Sequence, residues 1–316
     1  MRRFRPVAPA LVSLLIVAAC AGPAATTAPT QPPATQPPAT QAPVITAAPT
    51  PDACATANLT LKTAGKLTIG TDNPAFPPYF EGRDGGNTDP WDPSWGDPTT
   101  GKGFESAVAY AISKQLGFND ADVSWIVVAF NTSYAPGPKD FDLFINQVTY
   151  NTDRAASADL TDGYYFGNQT VVTMADSAFA GATTLAALKG AKLGAQVGTT
   201  SLATIEEVIK TTAEAAVYNT TDDALEAMQN GQIDGVVVDL PTAGFITTVQ
   251  VEGSKIVGQI GEAAGAKPEH FSLVLEQGSA LTACVNKAIA ALTADGTLAA
   301  LSDQYLPFNN APELLP

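Results

Sequence analysis

Arg154 carries one of only two guanidinium groups beyond the first five residues, the other being Arg83. Its planar fork of donors matches a carboxylate. Gly198-Thr199-Thr200 opens an apolar helical stretch, so its backbone N–H groups and hydroxyls offer an anion site at a helix start. Asp239 follows the apolar run 233–238 and could accept a hydrogen bond from an ammonium group. Phe76 and Phe130 supply rings that can stack on an aliphatic or cationic chain. Asp72, Asn146, Gln147 and Thr149 add polar atoms close by in the sequence pattern. As a set, these groups suit a zwitterion, with the carboxylate held at one end and the ammonium at the other. Taken singly, each has a plainer reading. Arg154 could pair with Asp153 or Asp159 at the surface, Thr199-Thr200 and Asp239 could be helix caps, and the phenylalanines could be core.

These positions share a place behind predicted strands. Apolar patterning predicts strands over 67–70, 123–128, 141–148, 171–174, 192–196, 215–218, 233–238, 255–259 and 271–275. Helical spacing predicts helices over 104–116, 185–188, 202–210, 221–230, 242–251, 281–292 and 298–305. Alternating strands and helices imply mainly parallel sheets with helices on both faces, an α/β fold. In such sheets ligands bind beyond the carboxyl ends of the strands. The region is long for one sheet of this kind, so two α/β lobes are expected. Residues 82–102 read as a long loop holding Trp91, Trp95, Asp84, Asp89, Asp92 and Asp97. That loop could be a solvated insertion, a cover for the pocket, or a calcium site.

The chain begins with Arg2, Arg3 and Arg5, an apolar run over 7–19, and then Val17-Ala18-Ala19-Cys20. Positive end, short apolar core, small residues and cysteine occur in the order of a secretory signal, and the last four residues resemble the lipobox of bacterial lipoproteins. Cys20 is therefore the expected lipidation site, with 1–20 the signal peptide and an extracytoplasmic face of the cell membrane the expected location. Residues 21–58 are rich in Pro, Thr and Ala and form no core. They read as a tether reaching about 100 Å at most. The formal net charge is −15 and becomes −18 once the three leader arginines are removed. A body this acidic disfavours nucleic acid and anionic lipid as partner surfaces. Outside the cytoplasm the two remaining cysteines, Cys54 and Cys284, are expected to form a disulfide. A single histidine, His270, and the lack of any G-x-S-x-G or metal-spaced cluster argue against hydrolytic or metal chemistry. No cofactor is called for.

At these residues the chain resembles the polar amino acid family of bacterial solute-binding proteins, the receptors of ABC importers, from about Leu67 to Phe308. Gly70 to Tyr79 resembles that family's opening strand and loop, and Gly103-Phe104-Glu105 its signature helix. Thr149-Tyr150-Asn151-Thr152-Asp153-Arg154 resembles its Ser/Thr-x-Thr-x-x-Arg segment, Gly198-Thr199-Thr200 its second-lobe carboxylate site, and Asp239 its ammonium acceptor. The resemblance implies that Arg154 clamps an α-carboxylate, that Thr149 helps hold the α-amino group, and that Asp72 faces the ligand's side chain. It departs from the family pattern at Ala107, Asn151, Thr152 and the length of the 82–102 loop. The implied architecture is a two-lobed periplasmic-binding-protein fold with two hinge strands. Lobe 1 would comprise 59–167 and 270–316, and lobe 2 would comprise 168–269. Ligand would bind between the lobes and favour their closure. The implied function is the substrate-binding lipoprotein of an ABC importer, a monomer that takes a polar amino acid and meets permease subunits in the membrane. A solute-sensing receptor module and an enzyme similar to cyclohexadienyl dehydratases are the alternatives on the same fold.

Overall fold

The computed structural model describes residues 52–261, 268–308 and 311–316. The expected signal peptide, Cys20 and most of the tether lie outside the described residues.

In chain order the strands are β1 (Leu67–Thr71), β2 (Val123–Val127), β3 (Leu143–Phe144), β4 (Asp159–Leu160), β5 (Tyr165–Phe166), β6 (Gln169–Met174), β7 (Leu193–Gln196), β8 (Ala216–Tyr218), β9 (Gly235–Asp239), β10 (Ser254–Ile260), β11 (His270–Phe271) and β12 (Val274–Leu275). They form two five-stranded sheets, ordered β2-β1-β3-β12-β4 and β10-β6-β9-β7-β8, and a two-stranded ribbon of β11 and β5. The helices are α1 (Phe104–Gln115), α2 (Phe130–Ser133), α3 (Thr152–Ala155), α4 (Thr200–Ala203), α5 (Thr221–Gln229), α6 (Leu240–Phe245), α7 (Thr282–Ala294) and α8 (Thr297–Tyr305).

Each five-stranded sheet is covered on both faces, which explains why its central strands read as unbroken apolar runs. Every residue of β1 is buried. Leu67 and Ile69 pack with Phe104, Val108 and Ile112 of α1 and Val285 and Ile289 of α7. Phe144 faces the other way, toward Phe130, Phe141 and Val274. In the second sheet alternation divides the valines. Val171 and Val237 join the core containing Leu193 and Ile205, while Val172, Val236 and Val238 join the one containing Leu225 and Met228. Each such fully buried side chain contributes about 1.5–3 kcal/mol relative to exposure. Gly103 caps α1 at φ 89°, and a Cβ there would meet the Tyr79 carbonyl oxygen at 2.6 Å, so this helix start requires glycine.

The chain leaves the first sheet through β5 and enters the second through β6. It returns from β10 to β11, where His270 pairs with Phe166 and Phe271 with Tyr165. Cys54 and Cys284 are bonded, joining residues 230 positions apart and fastening the start of the described chain to α7.

Four local readings differ from the expected ones. Only Leu143–Phe144 of the expected strand 141–148 pairs in a sheet. The expected strand 271–275 divides into β11 and β12, because Ser272 donates to the Thr161 carbonyl and the chain changes partner from the ribbon to the first sheet. The helices expected at 202–210 and 242–251 pass into wider π turns at Thr204–Ile209 and Ile246–Gln250. The end of the chain also sits elsewhere than expected. Leu306 is buried in the first lobe's core, but Leu314 is buried in the second, and Glu313 and Leu315 bridge to Gln259 and Thr184. Residues 311–316 thus pack on lobe 2 and not on lobe 1. The apolar contact for Leu314 lies on lobe 2, and Gln259 N donates to the Pro312 carbonyl.

Candidate functional site between the two sheets

Between the lobes lies a cavity of about 380 Å³. The loops after the strands line it, as the rule for open α/β sheets requires. Asp72, Phe76, Phe130, Asn146 and Gln147 reach it from the first lobe, and Thr199 and Asp239 from the second. Thr149, Arg154 and Thr200 meet one another at the seam beside it. Thr200 Oγ1 lies 3.3 Å from Thr149 Oγ1, and Arg154 donates to the carbonyls of Thr149 and Gly198 at 2.5 and 2.7 Å.

Arg154 is 5% exposed, which removes the surface ion-pair reading. Asp159 is engaged elsewhere, accepting from Gly278 N and Thr282 Oγ1. The guanidinium carbon stands 4.6 Å from the centre of the Tyr134 ring and 5.4 Å from that of Phe130. These faces fix the plane of the fork and leave its edge for hydrogen bonding. Asn151 accepts from Arg154 N and starts the short helix α3 that carries the arginine.

Asp239 is also more than a helix cap. It precedes α6 but makes no capping bond with its side chain. Its Oδ1 instead accepts from Gln169 Nε2 at 2.8 Å. The same amide donates to Glu269 Oε1 at 2.8 Å, and Thr200 Oγ1 reaches that oxygen at 2.9 Å. Burial, reinforced by the charge of Glu269, pushes the Asp239 carboxyl up to about 8. Two carboxylates sharing one amide form a strong attractor for an ammonium group. An incoming cation would stabilise the charged form that burial disfavours.

Two expected roles come out differently. Thr199 is a helix cap: its Oγ1 donates to the Gln196 carbonyl and accepts from Leu202 N. Gly198, at φ 76°, makes the turn before it. Asp72 lines the cavity, but its two oxygens accept from the backbone N–H groups of Asn73 and Phe130. It therefore ties the loop after β1 to the loop after β2 as well as contributing charge.

The 82–102 loop is organised around Asp97, which is fully buried. Arg83 Nε and the backbone and hydroxyl groups of Thr88 and Thr99 all donate to its carboxylate. Burial raises this carboxyl, but the bonds from Thr99 and Thr88 outweigh it and hold the group below the usual range. The loop supports the cavity from behind. Trp95 lies 4.9 Å from the Phe76 ring, and Gly96 N donates to the Ala75 carbonyl.

Glu105 of the signature helix is fully buried and accepts from Gln147 N, Gln147 Nε2 and Tyr164 Oη. Gln147 holds φ 47°, and this acid fixes it there, at the wall of the cavity. Tyr79 is a buried core residue whose hydroxyl lies 3.0 Å from Thr242 Oγ1 in the other lobe. Sequence reasoning passed over Tyr79, Tyr134, Gln169 and Glu269. Only Gln169 left a signal, as a polar residue immediately before the apolar run of β6.

The model of the bacterial extracellular solute-binding proteins, family 3, matches residues 67–308. This chain belongs to that family. Among curated relatives, ABC transporter arginine-binding protein 1 of Escherichia coli (strain K12) is 30% identical over 217 residues, covering 65% of this chain and 82% of that protein. L-cystine-binding protein TcyJ of the same strain is 27% identical over 260 residues, covering 78% of this chain and 84% of the relative. Among solved structures, an ancestral arginine-binding protein bound to glutamine superposes with a TM-score of 0.60 at 25% identity, covering 77% of this chain and 98% of the other. The family 3 fold, two α/β lobes around a central cavity, is thus the fold of this chain, and its role is that of a substrate-binding component.

Proposed function

We propose that this protein captures an amino acid in the cavity between its lobes and delivers it to an ABC importer. Arg154 takes the α-carboxylate, and Asp239 with Glu269 takes the α-ammonium. The observation that carries the reading is the pairing of a buried, ring-stacked arginine on one lobe with two half-buried acids, Asp239 and Glu269, that share the Gln169 amide. In the ligand's presence the Arg154 fork would exchange the Gly198 carbonyl for a carboxylate, a stronger, charge-assisted partner. A zwitterion would be held by both lobes and would favour the form in which they meet.

The curated relatives named for arginine and cystine binding support an amino acid ligand and an importer as partner. The leader ending in Cys20 supports a lipid anchor on the outer face of the membrane, with the Pro-rich segment as tether. Among the described residues no helix is long and apolar enough to cross a membrane. Native mass spectrometry of the protein purified from its own host tests the binding role. An amino acid released unchanged from the folded protein supports it, and a ligand lacking either charged group contradicts it.

A further inference from the structure

The end of the cavity away from Asp239 holds a second acid that the zwitterion clamps do not use. Asp222 and Asp223 are adjacent in the first turn of α5, yet they serve different ends. Asp223 closes a capping box with Thr220. Asp222 lines the cavity and accepts from Gln250 Nε2 at 2.8 Å, and Gln250 lines the cavity too. Gln250 closes the π turn Ile246–Gln250, in which Val251 N reaches back to the Ile246 carbonyl. The start of α5 is itself fixed, because Thr221 N and Oγ1 both donate to Gln196 Oε1.

Apart from Arg154 at the seam, the charges at the cavity are one-sided. Asp72, Asp222 and Asp239 line it, and no lysine or arginine does so among the described residues. The Asp72 oxygens are taken by backbone N–H groups. Asp222 is half-buried, and the one side-chain donor that reaches it is a neutral amide. Burial and the neighbouring charge of Asp223 raise its carboxyl above the ordinary range. Among the described residues neither Asp222 Oδ2 nor Gln250 Oε1 takes a hydrogen bond. Phe245, also on the wall, adds a ring face. Asp239 stands immediately before α6, and Gln250 ends the π turn that follows α6, so Asp239 and the Gln250–Asp222 pair mark opposite ends of this helical segment. A ligand held by its ammonium group at Asp239 can extend its side chain along the cavity wall toward Asp222.

We infer that Asp222, steadied by Gln250, is the specificity-determining residue that accepts a cationic group at the far end of the ligand, so that the site selects a basic amino acid over a neutral or acidic one. The inference rests on the zwitterion reading above. It is tested by calorimetric titration of the full chain, stripped of carried-over ligand, with L-arginine and with L-citrulline, which has nearly the same shape and a neutral end. The wild-type protein should bind arginine at least tenfold more tightly than citrulline. Asp222→Asn should weaken arginine at least tenfold and abolish the preference, and Asp222→Glu should restore part of it. Equal wild-type affinities for the two ligands, a comparison that needs no variant, would overturn the inference. So would a folded Asp222→Asn protein that binds arginine as the wild type does. Tight wild-type binding of a neutral or acidic amino acid, with arginine ignored, overturns this inference alone and leaves the proposed function standing. Binding of no amino acid at all overturns both.

Discussion

Arg154 on the first lobe donates through Nη2 to the carbonyl of Gly198 on the second, at 2.7 Å. A residue expected to bind ligand therefore also joins the lobes. Its two roles make opposite demands on a variant. Arg154→Ala should weaken amino acid binding by on the order of 3 kcal/mol or more, about a hundredfold or greater, because a desolvated charge pair is lost. Arg154→Lys should recover little of this, since an ammonium offers neither the fork nor the plane that stacks on Tyr134 and Phe130. Titration calorimetry of both variants checks this. Wild-type affinity in Arg154→Ala would remove the arginine from the clamp.

Removing the Cys54–Cys284 bridge should lower stability by about 2–5 kcal/mol, since it closes a loop spanning 230 positions and long loops lose the most chain entropy when open. Urea unfolding of the double serine variant measures the loss. Titration of the unfolded wild-type domain without reductant should find no free thiol at either position.

The fold should be more stable in mild acid when ligand is absent. Burial raises the Glu105 carboxyl to about 7, and burial together with Glu269 raises that of Asp239 to about 8. Both lie above the unfolded carboxylate value of about 4, so the native state holds these protons more tightly. This contribution is full below about pH 4 and is lost as pH rises through 7 and 8. The ligand-free protein should melt at a higher temperature at pH 5.5 than at pH 8.5, and Asp239→Asn should reduce the difference. A melting temperature that rises across that interval would contradict the assignment. Bound amino acid should reverse part of the trend, because its ammonium group stabilises the charged Asp239.

Asp97→Ala should unravel the 82–102 loop without unfolding the sheets. It strips the shared, fully buried acceptor from Arg83, Thr88 and Thr99, whose bonds to one carboxylate hold the loop together. Trp95 would lose its packing on Phe76, so tryptophan emission should shift to the red while the far-ultraviolet circular dichroism is retained. Unchanged emission would show that Asp97 does not organise the loop.

Much of this was legible in the sequence, for identifiable reasons. The strands β1, β7 and β9 are buried on both faces, so their apolar runs were unambiguous, and the positions behind them pointed to Asp72, Thr199 and Asp239. The cysteine count was enough for the bridge. Other features depend on contacts between distant segments and leave no local pattern. Glu269 and Gln169 are 100 positions apart, and nothing near either predicts that the Gln169 amide donates a hydrogen bond to the Glu269 carboxylate. Tyr79 reads as core and is core, and its reach to Thr242 is a property of the tip of the side chain. The tail's place on lobe 2 turns on one leucine, Leu314. The π turns change the count of residues per turn without changing which residues are apolar, so periodicity could not separate them from α-helix.

The central claim, that both halves of a zwitterion are needed to bring the lobes together on a ligand, is tested most directly by titrating the refolded, ligand-stripped protein with one tightly bound amino acid and with two analogues of it. One analogue has its carboxylate converted to an amide, and the other has its amino group acetylated. The account predicts tight binding of the parent and a loss of at least a hundredfold for each analogue, the first through Arg154 and the second through Asp239 and Glu269. Comparable affinity for either analogue would contradict it.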